Sequence, residues 1–226
     1  MKLSIIIPSY NEESTILDLI DIVKRQDIGK IIKEIIVVDD GSKDNTYNLL
    51  KTIDGIKLVK HDKNFGKGRA IRTGLEKSTG DIILIQDADL ELSPSDYPAL
   101  IKPIIDGKAE VVYGSRILGK NIKHSLLYYT GGRIITFVAN LLYGINITDE
   151  PIGYKVFKAD LLKKLNLECN RFEFCPEVTA KIAKKKIKIH EVPVKYNPRT
   201  VSEGKKLRFN DGVQAILTLI KYRFKK

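Results

Sequence analysis

The chain has 226 residues, with 39 Lys and Arg against 28 Asp and Glu and a formal net charge of +11 at pH 7. Hydrophobic residues make up 43% and charged residues 30%, which excludes a disordered chain and is enough for one large domain with its own core. The charge predicts attraction to a polyanion: nucleic acid, an anionic membrane surface or a phosphorylated substrate.

The cysteine content and the hydropathy of the sequence predict the cellular compartment of the protein and the kind of membrane contact it can make. Cys169 and Cys175 are too few for a disulfide framework, and no secretory signal precedes the first apolar run. We therefore expect an intracellular protein with two free thiols. The most apolar long segment, 134–145, is interrupted by Asn140. It is shorter than the roughly 20 residues of a membrane span, so we expect any membrane contact to be peripheral.

Apolar runs alternate with helical periodicity through the first half of the chain. The predicted strands of this half are LSIIIPSY, EIIVVDD, IKLVKHD and DIILIQDADL. Continuous apolar strands separated by helices predict an α/β fold, with a mostly parallel sheet flanked by helices.

The second half is less regular. Its predicted strands are AEVVYGSR, GYKVFKAD and IKIHEVPVKY. One or two amphipathic helices are predicted over about 124–145, around Gly131 and Gly132, and a basic C-terminal helix over about 210–224.

Acidic side chains collect where two of the predicted strands end. Asp39 and Asp40 close the second strand, and Asp87, Asp89 and Glu91 follow the fourth at alternate positions. Ligands of open α/β sheets bind beyond the carboxyl ends of the strands. Neighbouring carboxylates repel, and Mg²⁺ or Mn²⁺ would relieve this while binding substrate phosphates. Alternatively, Asp87 and Asp89 only cap the following turn.

Six motifs, in this order along the chain, carry a family resemblance. They are IIIPSYNEE, IVVDDGSKDNT, NFGKGRAIRTGL, QDADLE, YGSR and EGKKL. Together they resemble the family-2 glycosyltransferases of the GT-A fold, and more narrowly the dolichyl-phosphate mannose synthase-like group of polyprenyl-phosphate glycosyltransferases. The resemblance covers nearly the whole chain. It implies a single GT-A domain over 1–226, with a nucleotide-sugar-binding half (1–117) and an acceptor half (118–226).

The resemblance implies which residues bind the nucleotide-sugar donor. Positions that match contacts to the nucleobase and ribose are Pro8, Tyr10, Glu12, Val37 and Asp39. Asp87, Ala88 and Asp89 match the D-x-D element, which holds ribose, metal and diphosphate. Glu91 is implied as a third metal ligand, although the best-known synthases place Gln there.

Basic residues of the second half match phosphate contacts of the family. Arg116 and Arg133 match contacts to the acceptor phosphate, and Arg199 a contact to the donor diphosphate. Lys205 is expected on a loop that closes over the donor, together with Ser202 and Lys206. Asp89, Arg116, Arg133 and Arg199 are the expected catalytic residues.

The implied reaction is an inverting, metal-dependent transfer of mannose or glucose from GDP-mannose or UDP-glucose to a polyprenyl (dolichyl) phosphate. The acceptor phosphate is already anionic, so the reaction needs no general base. The lipid acceptor implies peripheral attachment to the cytoplasmic face of a membrane, through the amphipathic segment and basic residues or with a membrane-anchored partner protein.

Three alternatives stay open. A soluble family-2 transferase with a saccharide or other non-lipid acceptor would need a base, for which Glu173 and Glu177 are candidates. A nucleic-acid-binding module would suit the charge, but the chain has no motif for it, so we expect no nucleic-acid partner. The segment Gly66–Gly68 fits either a phosphate-binding loop or a glycine-rich turn that opens a helix.

Overall fold

The computed structural model describes residues 1–119, 121, 126–199, 206 and 209–225. The strands of this part of the chain are β1 (Lys2–Ser9), β2 (Ile32–Asp39), β3 (Ile56–Lys60), β4 (Ile82–Ile85), β5 (Val111–Ser115), β6 (Lys155–Lys158) and β7 (Ile189–Pro193). They form one sheet in the order β3-β2-β1-β4-β6-β5-β7.

Helices flank the sheet. They are α1 (Ile16–Arg25), α2 (Thr46–Leu50), α3 (Lys67–Lys77), α4 (Tyr97–Ile105), α5 (Leu126–Tyr143), α6 (Ala159–Lys163), α7 (Phe174–Lys184) and α8 (Phe209–Phe224). A short 3₁₀ turn, Pro94–Asp96, precedes α4. The α/β class predicted from the alternation of strands and helices is confirmed.

The core follows the apolar runs of the sequence. All four residues of β4 are buried, as are Ile5, Ile6 and Ile7 of β1, because these central strands are covered on both faces. In α1 the buried residues recur at helical spacing, from Ile16 to Val23, and turn one face of the helix toward the sheet.

Strand β6 makes the sheet mixed rather than fully parallel. It runs antiparallel to both of its neighbours, β4 and β5. Arg116, just after β5, bonds Asp149, shortly before β6, so the chain leaves β5 and enters β6 at the same edge of the sheet. Because α5 does not return the chain to the opposite edge, β6 runs in the opposite direction.

Helices α5 and α8 pack on each other beside the main core. Ile135 and Ala139 of α5 meet Ala215 and Leu219 of α8 in a separate small cluster. The segment predicted as one or two helices is a single helix in its described part, and it passes through both glycines. Among the described helices, none combines the length and apolar content needed to cross a membrane.

Candidate active site

Three neighbouring strands bring the predicted donor-binding residues to one edge of the sheet. β1 lies between β2 and β4 and runs parallel to both, so their carboxyl ends share that edge. The predicted residues in or just beyond these strand ends are Pro8, Tyr10, Glu12, Val37, Asp39, Asp87, Ala88 and Asp89. The structure thus gathers the predicted donor residues, while their contacts to a donor stay a prediction.

Asp39 and Ser9 present buried polar atoms at this edge. They are paired in register, and their exposed fractions are 0% and 1%. Oδ2 of Asp39 accepts a hydrogen bond from the N–H of Ser42 at 3.3 Å. Within the described part of the chain, Asp39 Oδ1 and Ser9 Oγ have no hydrogen-bond partner. Such atoms are rare in folded proteins, so both are candidate contacts for a bound ligand. Ser9 was missed by the sequence analysis, although it lies between two predicted residues.

Gln86 anchors the acidic loop that follows β4, and the sequence analysis also missed it. Its Oε1 accepts hydrogen bonds of 2.7 Å from the hydroxyls of both Tyr97 and Tyr154. Its Nε2 donates to the carbonyls of Asp87 at 2.9 Å and Leu92 at 3.4 Å. The three side chains are fully buried. Gln86 therefore fixes both ends of the loop that carries the predicted metal ligands.

The carboxylates of this edge contact basic side chains. Asp87 Oδ1 lies 2.5 Å from Lys67 Nζ. Arg199 reaches two acids, with Nη2 at 3.1 Å from Asp89 Oδ2 and Nη1 at 3.0 Å from Glu12 Oε2. Arg199 therefore joins the first strand end to the D-x-D loop.

Asp89 is partly buried beside other carboxylates. Burial and the neighbouring carboxylates of Asp87 and Glu91 raise the pKa of Asp89 to about 7, even though Arg199 opposes the shift. However, the described residues contain no group of three or more His, Cys, Asp and Glu side chains arranged to hold a metal ion. Joint metal binding by Asp87, Asp89 and Glu91 therefore stays a prediction.

Lys206 also reaches this edge of the sheet. Lys206 Nζ lies 2.5 Å from Glu12 Oε1 and donates to the backbone carbonyl of Tyr10. Lys205 and Ser202, predicted on the same loop, lie outside the described residues.

Gly66 and Gly68 pack closely against another part of the backbone, where a side chain would not fit. Gly66 has φ of 104°, and a Cβ there would lie 2.5 Å from the carbonyl oxygen of Asn170. A Cβ on Gly68 would lie 2.5 Å from the carbonyl oxygen of Cys169. Both glycines allow the start of α3 to pack against this backbone, which favours the helix-opening turn of the two alternatives.

Arg116 and Arg133 both contact the segment of Thr148 and Asp149, which precedes β6. Arg116 Nε and Nη2 donate to Asp149 at 2.8 and 2.7 Å, and Arg133 Nη1 donates to the carbonyl of Thr148 at 2.9 Å. Burial opposes the charged form of Arg116, but the adjacent Asp149 carboxylate raises the pKa of Arg116. The sequence analysis did not predict this carboxylate partner.

Glu177, one of the two alternative bases, has a structural role. It is fully buried, and it accepts hydrogen bonds from the N–H groups of Glu168 and Cys169 at 2.7 and 2.8 Å and from the Tyr222 hydroxyl at 2.9 Å. A carboxylate held by these donors cannot reach a substrate. Glu173, the other alternative, accepts a hydrogen bond from a nearby backbone N–H at 3.2 Å.

A mixed α/β sheet with an acidic loop beyond its central parallel strands is the architecture of a GT-A-type glycosyltransferase. The sequence profile of Glycosyl transferase family 2 matches residues 4–165, and the chain belongs to this family.

Named relatives agree with this membership, and a solved structure shares the fold. A UDP-N-acetylglucosamine–dolichyl-phosphate N-acetylglucosaminyltransferase of Methanococcus voltae is 34% identical over 88% of this chain and 88% of the relative. A dolichyl-phosphate beta-glucosyltransferase of Trichomonas vaginalis is 30% identical over 96% of this chain and 72% of the relative. The crystal structure of glucosyl-3-phosphoglycerate synthase from Mycobacterium tuberculosis, in complex with Mn²⁺, uridine-diphosphate and phosphoglyceric acid, has a TM-score of 0.74. It is 21% identical over 100% of this chain and 79% of that chain, which shows a shared fold.

Proposed function

We propose that the chain transfers a hexose or an N-acetylhexosamine from a nucleotide diphosphate sugar to a polyprenyl phosphate, with inversion at the anomeric carbon. Relatives named as dolichyl-phosphate sugar transferases support this substrate class. The observation that carries the proposal is a pair of arginine sites, Arg199 beside Asp89 and Arg116 close to Arg133. Guanidinium groups match phosphate geometry, so one site suits the donor diphosphate and the other the acceptor phosphate.

The chemistry of the donor edge suits a divalent cation. Asp87 and Asp89 offer hard carboxylate oxygens. Burial and the neighbouring carboxylates raise the pKa of Asp89, and a bound cation would stabilise its charged form. These oxygens contact Lys67 and Arg199 in the structure, so cation binding would replace or rearrange those contacts. We therefore assign Mg²⁺ or Mn²⁺ to Asp87 and Asp89. When bound, the ion would stabilise negative charge on the departing nucleoside diphosphate.

The remaining chemistry consists of positioning and charge stabilisation. An acceptor phosphate is an anion at neutral pH, so its oxygen can attack the anomeric carbon without a base, which agrees with the occupied carboxylate of Glu177. Arg116 and Arg133 would hold that phosphate in line with the breaking bond. Arg199 would offset charge on the leaving diphosphate.

Apolar side chains on α5 and α8 support a membrane-surface location. Exposed apolar residues of the two helices are Leu126, Leu127, Ile134, Phe137, Leu141, Phe209, Val213, Leu217, Ile220 and Phe224. Lys221, Arg223 and Lys225 crowd the end of α8 and complement anionic headgroups. Docking of this surface on an anionic bilayer would bring a lipid-borne phosphate toward Arg133, which lies on α5.

The test is a transfer assay with radiolabelled UDP-N-acetylglucosamine, UDP-glucose and GDP-mannose, each offered a short polyprenyl phosphate or 3-phosphoglycerate. We expect Mn²⁺-dependent label in the lipid phase from one donor, lost in Asp89→Ala and kept in Asp106→Ala, a matched change at an exposed acid on α4's end. Label on 3-phosphoglycerate alone would refute the lipid acceptor while keeping the transferase.

A further inference from the structure

Both carboxylate oxygens of Glu91 are engaged by a segment that lies about a hundred residues further along the chain. Oε1 accepts a hydrogen bond from the backbone N–H of Arg199 at 2.8 Å. Oε2 accepts one from the Tyr196 hydroxyl at 3.1 Å, across a sequence separation of 105 residues. Glu91 therefore binds both ends of the segment that carries Arg199.

The backbones of the two segments are joined as well. The N–H of Asn197 donates to the carbonyl of Glu91 at 2.8 Å, and Leu92 forms an antiparallel bridge with Tyr196. Arg199 is thereby held at a fixed place, from which its guanidinium reaches Asp89.

Tyr196 extends this connection to the other arginine site. The guanidinium carbon of Arg116 lies 5.1 Å from the centre of the Tyr196 ring, within the range of a cation–π contact. Asn121 ties the two backbones together, since it donates to the carbonyl of Arg116 at 3.0 Å and accepts from the N–H of Tyr196 at 2.9 Å. Arg116 and Tyr196 are therefore joined through both their side chains and their backbones.

We infer that Glu91 and Tyr196 are positioning residues that join the donor-side Arg199 to the acceptor-side Arg116. The inference rests on the proposed function and gives Glu91 a role other than that of a metal ligand. An in-line displacement needs both phosphates at a defined separation, and a small misplacement lowers the rate strongly. The continuous contact Arg199–Glu91–Tyr196–Arg116 fixes that separation and transmits donor binding to the acceptor site.

Metal binding distinguishes an anchor from a ligand. Glu91→Ala and Asp89→Ala each remove a carboxylate and leave no side-chain oxygen that could bind a metal. With a nucleoside diphosphate present, titration calorimetry should give an Mn²⁺ affinity within about threefold of wild type for Glu91→Ala. The affinity should fall by more than about tenfold for Asp89→Ala. Equal losses in both variants would overturn the assignment of Glu91 as an anchor.

Tyr196→Phe tests the connection without touching a carboxylate, because it removes the hydroxyl that contacts both Glu91 and Arg116 and keeps the ring beside Arg116. The Nε–H of Arg116, which donates to Asp149 at 2.8 Å, gives a side-chain NMR signal that can be followed. A nucleoside diphosphate with Mg²⁺ should shift this signal in wild type and leave it unshifted in Tyr196→Phe. Nucleotide affinity should stay within about threefold of wild type, and kcat should fall about tenfold or more.

Tyr113→Phe is the matched control, since it removes a buried tyrosine hydroxyl that bonds Thr179 rather than Arg116 or Arg199. It should keep the Arg116 shift and kcat. A shift that survives in Tyr196→Phe, disappears equally in Tyr113→Phe or is absent from a wild-type protein that binds the nucleotide would refute the connection. A wild-type protein that binds no nucleotide would instead refute the proposed function, and with it any catalytic role of the two residues.

Discussion

Replacement of Gln86 by methionine should destabilise the protein and loosen its acidic loop. Methionine has a similar length but cannot accept the 2.7 Å hydrogen bonds from Tyr97 and Tyr154, whose side chains are 0% exposed. A buried hydroxyl without a partner costs about 1–3 kcal/mol. Two such hydroxyls give an expected loss of about 2–6 kcal/mol in the free energy of unfolding.

Urea unfolding followed by circular dichroism measures this loss, and a triple variant tests its cause. Gln86→Met combined with Tyr97→Phe and Tyr154→Phe removes the two hydroxyls left without a partner while keeping both rings, so it should recover at least half of the loss. Neither variant keeps the bonds to the carbonyls of Asp87 and Leu92, so metal-dependent nucleotide binding should stay weak in both. A single variant within about 1 kcal/mol of wild type, or a triple variant less stable than the single, would refute the reasoning.

Three further changes have defined outcomes. Although burial opposes the shift, hydrogen bonds led by that of Lys57 lower the pKa of Glu34, so wild type should lose stability as the pH falls below about 4. Glu34→Gln should be about 1.5–3 kcal/mol less stable in urea at pH 7 and converge with wild type in acid. Gly153→Ala places a Cβ 2.1 Å from Asp87 Oδ2 and should weaken Mn²⁺-dependent nucleotide binding in calorimetry. Phe137→Ser, on the exposed face of α5, should reduce co-sedimentation with anionic vesicles and leave nucleotide affinity unchanged.

Matched variants control these measurements. A Cβ on Gly212 would meet no atom within 4 Å, so Gly212→Ala should keep nucleotide binding. If Gly212→Ala lost as much nucleotide affinity as Gly153→Ala, the loss in Gly153→Ala could not be explained by displacement of the Asp87 side chain. Leu17 is exposed on α1, and Leu17→Ser should leave vesicle binding intact. A stability gap for Glu34→Gln that stays constant down to pH 2 would contradict the lowered pKa.

Local patterns in the sequence were enough to predict the α/β fold and the sheet edge at which Asp39 and the D-x-D residues lie. The apolar runs of β1 and β4 and the helical spacing in α1 report burial directly, because each residue's environment repeats with the period of its element. Motif matches then placed Asp39 and the D-x-D residues at one edge, where the parallel strands end.

The contacts between distant segments could not be predicted in the same way. The direction of β6 depends on where α5 returns the chain, and the apolar run of β6 is the same in either direction. The partners of Arg116 and Glu91, Asp149 and Tyr196, are 33 and 105 residues away. No periodicity links such positions. The motif therefore predicts a carboxylate at Glu91, but it does not predict that the Tyr196 hydroxyl binds this carboxylate.

The most direct test of the account is the anomeric configuration of the product. The protein would be incubated with Mn²⁺, an α-linked nucleotide sugar and a short polyprenyl phosphate, and the extracted lipid analysed by NMR. The account predicts a β-linked sugar on the lipid phosphate, formed in a single displacement that needs no base. An α-linked lipid product, or free sugar with no lipid product, would contradict it.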